Sequence, residues 1–317
     1  MKILGIDYPC MDMGVAFPRI PDDGGWEPIT ELTMQCGGKI PNALAAASRL
    51  GAQTGLIGAC GTDRYGEGCR RDLAYNGVST DGLRKRPGRT GLCLCLADAE
   101  GSGKRCIESP ADYDRLRPEE LAEDELAGAD MLLVYELDET ALRAARLIRQ
   151  HGGLVLADGD EYDARTQENL ALIDILIISE YYYRHLFGTS GAYEENLRTL
   201  QRQGPDTVIV TLGEQGCAGV AGTEYFREPA FTNVQVLDTT GAGDVFHGAY
   251  AFFALSGMDG RQAAIHASAV SAIKCTRLGG RTGLPTLPGV QSFLRTGRVE
   301  QEDFEARAKY YHDMAFT

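Results

Sequence analysis

Short apolar runs alternate with helix-period stretches along most of this chain, and that alternation is its strongest constraint. Lys2–Ile6, Gln53–Ile57, Met131–Val134, Leu154–Ala157, Ile173–Ile178 and Thr207–Thr211 read as strands. Pro41–Leu50, Tyr65–Asn76, Glu139–Gln150 and Ala192–Gln203 fall between them with helical spacing. A strand, a helix and another strand in succession favour a crossover, and crossovers make parallel sheets. The central runs are continuously apolar rather than alternating, as burial on both faces demands. The pattern predicts an α/β fold: a doubly wound, mostly parallel sheet with helices on both faces. No repeat or Pro/Gly linker interrupts it, so residues 1–317 are expected to form one domain. Two stretches, about 12–36 and 85–110, carry short alternating segments and turns without a clear helix. They form either two long loops or a small antiparallel sheet standing off the main body as a lid; the alternation favours the sheet.

The charge balance limits the partners. The net charge is -14, so the surface repels nucleic acid and anionic membrane, and neither is expected. It also repels nucleotide phosphates, so a nucleotide site must supply its own backbone donors, cation or metal. The nine cysteines show no Cys-x-x-Cys pair and the five histidines no cluster, so zinc is not expected. Cys93 and Cys95 alternate in Leu-Cys-Leu-Cys-Leu, which reads as a strand using Cys as a small hydrophobe. With no apolar stretch of signal or membrane-spanning length, the expectation is a cytoplasmic protein with reduced thiols.

The segment with the most chemistry is Asp238-Thr-Thr-Gly-Ala-Gly-Asp244. Val234–Leu237 reads as a strand end before it, and a helix from about Asp244 to Leu255 follows. A helix opening in a glycine turn presents unpaired N–H groups and the positive end of its dipole, which together bind anions. Asp244 falls in the first turn, where a carboxylate can take a proton from an attacking hydroxyl. It can equally be an ordinary first-turn acid. No Lys-Ser/Thr follows the glycines and the next glycine, Gly248, is misplaced for Gly-x-Gly-x-x-Gly, so neither the P-loop nor the dinucleotide fingerprint applies.

The thirteen residues Asp238–Tyr250, Asp-Thr-Thr-Gly-Ala-Gly-Asp-Val-Phe-His-Gly-Ala-Tyr, closely resemble the C-terminal signature of the ribokinase-like (PfkB) carbohydrate kinases. The resemblance covers nearly the whole chain. It implies a kinase that moves the γ-phosphoryl group of ATP, with Mg²⁺, to a hydroxyl of a small sugar or polyol. Asp244 would be the general base, and Gly241, Ala242 and Gly243 the anion hole. Gly37-Gly38-Lys39-Ile-Pro-Asn42 is similar to the family's sugar-binding segment, which implies Gly38, Lys39 and Asn42 as substrate residues. Asp12, preferred over Asp7, resembles the carboxylate that clamps two sugar hydroxyls, and Glu136 matches another position near the substrate. Val210-Thr211-Leu-Gly213-Glu-Gln-Gly216 is similar to the nucleotide loop, implying contacts from Thr211, Gly213 and Gly216, with Ser268 facing the adenine. At the family's Asn-x-x-Glu position, Ser179 and Tyr182 stand in for Asn and Glu, which alters the metal and phosphate surroundings there. The family also implies a monovalent cation such as K⁺ near Asp238 and the Arg277–Arg281 loop, and a homodimer through the lid. Other readings are a nucleoside or vitamin-precursor kinase of the same fold, or a catalytically silent sugar-binding protein. The sugar itself is not indicated.

Overall fold

The computed structural model describes residues 1–98, 105–300 and 303–316; the 99–104 part of the 85–110 expectation lies outside these. In chain order the elements are β1 (Lys2–Ile6), β2 (Cys10–Phe17), β3 (Glu31–Cys36), α1 (Lys39–Leu50), β4 (Gln53–Gly61), α2 (Arg64–Tyr75), β5 (Val78–Ser79), β6 (Leu83–Arg86), β7 (Gly91–Asp98) and β8 (Arg105–Ser109). Then come β9 (Met131–Val134), α3 (Glu139–Gln150), β10 (Leu154–Gly159), α4 (Ala164–Glu168), β11 (Ile175–Ser179), α5 (Glu180–Phe187), α6 (Tyr193–Gln201), β12 (Thr207–Thr211), β13 (Cys217–Ala221) and β14 (Glu224–Glu228). Four helices follow: α7 (Ala242–Leu255), α8 (Gly260–Lys274), α9 (Leu287–Thr296) and α10 (Phe304–Met314).

The main sheet runs β14-β13-β12-β11-β10-β9-β1-β4-β5, with β6 also paired to β4. From β12 through β5 every pair is parallel; β13 and β14 add an antiparallel edge. Side-chain alternation divides the strands between two cores. Ile3, Met131, Leu133 and Ile209 pack toward α1, α7 and α8, whereas Leu4, Leu132, Val134, Val208 and Val210 pack toward α3 and α6. Both faces are therefore covered, and each fully buried aliphatic side chain contributes about 1.5–3 kcal/mol.

The smaller sheet has the order β3-β2-β7-β8. The lid is thus a sheet rather than loops, but it is not wholly antiparallel: its central pair, β2 with β7, is parallel. These two strands come from separate excursions of the chain, so no hairpin turn dictates their direction. Val234–Leu237 is also not a strand. It finds no neighbour to pair with, and Leu237 and Asp238 instead donate their N–H groups to the Cys275 carbonyl at 2.8 and 3.2 Å. No helix among the described residues is long and apolar enough to cross a membrane.

Candidate active site

Parallel strands all end on one edge, and open α/β sheets bind ligands there. Asp7 follows β1, Glu136 follows β9, Asp160 follows β10, and Ser179 and Thr211 end β11 and β12. The loop from β14 brings α7 down against α1 at the same edge, while β2 and β7 cross above.

Helix α7 begins at Ala242, two residues before the expected start, with Gly241 as its cap at φ 72°. A side chain would be strained in that left-handed conformation, and glycine is not. The N–H groups of Gly241, Gly243 and Asp244 make no hydrogen bond among the described residues. They are the orphan donors of a helix start, and they open beside the Asp244 carboxylate. Ser271 Oγ donates to the Ala242 carbonyl at 2.8 Å, and the His247 ring lies between the Gly243 and Ile177 carbonyls at 2.6 and 3.2 Å. The first turn of α7 is therefore fixed from α8 on one side and β11 on the other.

Asn42, in the first turn of α1, donates Nδ2–H to Asp244 Oδ2 at 2.9 Å. Its own Oδ1 accepts from Arg281 Nε at 3.0 Å. Arg281 is wholly buried and pairs with buried Asp72 at 3.2 Å, and Tyr311 Oη donates to the same carboxylate at 3.1 Å. A polar relay thus runs from Asp244 through Asn42 and Arg281 to α2 and α10. Such a network resists displacement because any broken link strands a buried polar group. Lys39 forms an ion pair with Asp160 and sits 4.9 Å over the Tyr135 ring. Burial opposes its charge, but Asp244, Asp158 and Asp160 outweigh that and hold the ammonium well above the ordinary lysine range.

One cavity of about 220 Å³ is lined by Gly38, Lys39, Asn42, Thr240, Gly241 and Asp244 from the base, and by Cys10, Asp12, Cys93, Cys95, Cys106 and Glu108 from the lid. That is about seven waters of liquid volume, the scale of a small polyol. Gly37 makes room for a side chain of the lid: a Cβ there would lie 2.0 Å from Asp12 Oδ1. It is the glycine that admits the Asp12 carboxylate. Asp7 lies beneath, its carboxylate accepting N–H groups from Tyr8 and Ile40 at 2.7 and 3.1 Å.

Other candidates fall elsewhere. Glu136 lines a separate cavity of about 320 Å³ and pairs there with Arg115. Ser179 and Thr211 are register partners on neighbouring strand ends, and Thr211 is opposite Cys217. Gly213 and Gly216 form the turn between β12 and β13, and Ser268 of α8 lies beside Cys217, so these five collect at one end of the sheet. Ser179 caps α5 through the Tyr182 N–H at 3.0 Å. Asp238 is buried behind the glycine turn, its carboxylate accepting from the N–H groups of Thr240 and Gly279 at 2.8 and 2.7 Å. The Lys274 ammonium occupies the carbonyls of Asp238 and Thr240. A third cavity, of about 640 Å³ beside Asn233 and Arg298, does not have Asp244 in its lining.

Residues 19–287 match the family described as pfkB family carbohydrate kinase. The chain belongs to this family. Among its relatives, an ATP-dependent ribose-1-phosphate kinase of Halopiger xanaduensis is 28% identical over 93% of this chain and 98% of the relative. An aminoimidazole riboside kinase of Salmonella typhimurium is 31% identical over 84% and 89%. The ribokinase structure of Thermotoga maritima superposes with a TM-score of 0.78 at 25% identity, covering 93% of this chain and 99% of that one. The fold is ribokinase-like, and the protein is a carbohydrate kinase of the pfkB type.

Within this pfkB kinase, sequence reasoning missed Asp72, Lys274 and the three lid thiols. Cys93 and Cys95 carried a signal, their alternation, but it was read as packing. Their sulfurs and that of Cys106 lie within 4.8 Å of one another on the cavity wall. Asp72 and Lys274 stand in ordinary helical contexts, and nothing local marks them.

Proposed function

We propose that this enzyme transfers the γ-phosphoryl group of Mg-ATP to a hydroxyl of a small sugar or sugar-like polyol. The observation that carries the reading is the shared cavity, in which a carboxylate, open helix-start N–H groups and the hydroxyl-binding types Asp12, Lys39 and Asn42 face one another. A polyol seated there would give two hydroxyls to Asp12 and a third to Asp244. The Asn42 N–H on Oδ2 keeps the Asp244 carboxylate oriented and leaves Oδ1 to accept the proton. As that proton leaves, the sugar oxygen attacks phosphorus, and the bond to the ADP oxygen breaks. The open N–H groups of Gly241, Gly243 and Asp244 meet the charge on the transferring oxygens, each good donor contributing about 10²–10³-fold; the expected Ala242 donor is instead engaged, its N–H held by the Thr239 carbonyl at 3.1 Å. Mg-ATP approaches from the side of Ser179, Thr211, Gly213, Gly216 and Ser268, and Asp160, the ion-pair partner of Lys39, has its main-chain carbonyl bonded by Ser179. Lid closure excludes water from the transfer.

A riboside substrate is the second reading, favoured by the 31% identity to the riboside kinase. A second copy of the chain is a natural partner for the lid, whose loop exposes Trp26 and Ile29 and whose exposed edge strand β8 offers a surface for pairing. The deciding experiment is an ADP-release screen over aldoses, ketoses, sugar acids and nucleosides, repeated with Asp244→Asn. The expectation is a fall in turnover of about 10²-fold or more with sugar binding retained. Full activity in Asp244→Asn would reject the base.

A further inference from the structure

A positive charge without an acid partner holds the turn beneath the anion hole. Lys274 ends α8 and is wholly buried. Its Nζ donates to the main-chain oxygens of Asp238, at 3.0 Å, and of Thr240. It forms no ion pair among the described residues, because the Asp238 carboxylate is engaged with the N–H groups of Thr240 and Gly279. Burying an ammonium on carbonyls alone is costly. A lysine in the last turn ordinarily serves the carbonyls of its own helix; this one reaches across to another segment.

The direction of the Thr240 carbonyl has a consequence at the cavity. In a trans peptide the C=O and the next N–H point opposite ways. With Thr240 O drawn inward to Lys274, the Gly241 N–H is turned outward, and it has no partner among the described residues. The bound charge also polarises that peptide and strengthens the N–H as a donor. Main-chain carbonyls of this kind are what a monovalent cation binds, and here the ammonium has taken them. The expected ion near Asp238 therefore does not fit.

We propose that Lys274 is a resident, tethered cation: a positioning residue that aims the Gly241 N–H at the transferring phosphoryl group and makes turnover independent of monovalent ions. The proposal rests on the kinase reading above. The test is a cation series on the full-length protein with whichever substrate the screen identifies. Wild type should turn over equally in potassium, sodium and choline chloride at fixed ionic strength. Lys274→Ala should lose about 10²-fold in kcat with KM for the sugar little changed, and ammonium, methylammonium or potassium should restore much of it while choline does not. Lys274→Met, which fills the space without charge, should stay slow in every salt. A wild type accelerated by potassium would overturn the proposal, as would Lys274→Met with wild-type kcat. If neither variant folds, the wild-type series alone decides. Absence of ADP release for every sugar and riboside rejects the kinase reading, whereas potassium-dependent turnover rejects only the role of Lys274.

Discussion

Replacing Gly248 by alanine tests whether the contact between α1 and α7 sets the catalytic geometry. Gly248 is one turn beyond Asp244, and it packs on Ala43, the residue after Asn42. A Cβ at Gly248 would lie 1.9 Å from the Ala43 carbonyl oxygen and 2.5 Å from its carbon. Those atoms are backbone and cannot rotate away, so the helices must part by about 1 Å in a core packed to crystal density. Overpacking of this kind costs about 1–3 kcal/mol, and better helix propensity returns about 1 kcal/mol. A rigid backbone contact belongs at the upper end of that cost, so the net loss is about 2 kcal/mol. An unfolding entropy of about 2.1 cal/mol/K per residue over 317 residues converts this to a fall in Tm of about 3 °C. The effect on turnover should be far larger, because the shift acts directly on the 2.9 Å bond from Asn42 to Asp244. A misplacement of about 1 Å costs about 10²-fold. At Gly243, five residues earlier in the same helix, an added Cβ meets nothing within 4 Å. Gly243→Ala should therefore raise Tm by about 1 °C through propensity alone. Thermal melts and steady-state ADP release on both variants provide the check. A Gly248→Ala protein with unchanged Tm and kcat would refute the claim that this crossing positions the base.

Other outcomes follow from the same site. Asn42→Ala removes the donor to Asp244 and strips the buried Arg281 Nε of its acceptor, so melting should fall with a loss of about 1–3 kcal/mol while kcat drops; unchanged kcat would show that Asp244 needs no orienting partner. Burial raises the Asp7 carboxyl from 3.8 to about 7 against its two backbone N–H donors. The folded protein thus holds a proton that the unfolded chain releases, so this contribution is full below about pH 4 and is lost as pH rises through about 7. Asp7→Asn should melt with a shallower pH dependence across that window, and identical slopes would count against the shift. Cys106 is the exposed thiol of the lid cluster, with Cys93 and Cys95 buried. Iodoacetamide should therefore slow turnover by carrying its adduct into the cavity, sugar should protect, and Cys106→Ser should be resistant.

The six central parallel strands of the main sheet were legible in the amino-acid order alone, because burial on both faces writes itself into continuous apolar runs; the edge strands β5, β6, β13 and β14, which lack such a run of large aliphatic side chains, were not. That order also determined the glycine turn with Asp244, since a helix start, an unstrained left-handed residue and a first-turn carboxylate are all local properties. The direction of the lid's central strands, which no hairpin fixes, and the assignment of Glu136 to a different cavity, which depends on where Arg115 arrives, emerge only in the folded molecule. It alone brought together residues far apart in the chain: Asn42 and Asp244, Arg281 and Asp72, Lys274 and the Thr240 carbonyl. Such pairings satisfy buried polar groups across helices. Their energy lies in the contact, and neither partner's neighbours in sequence reveal it.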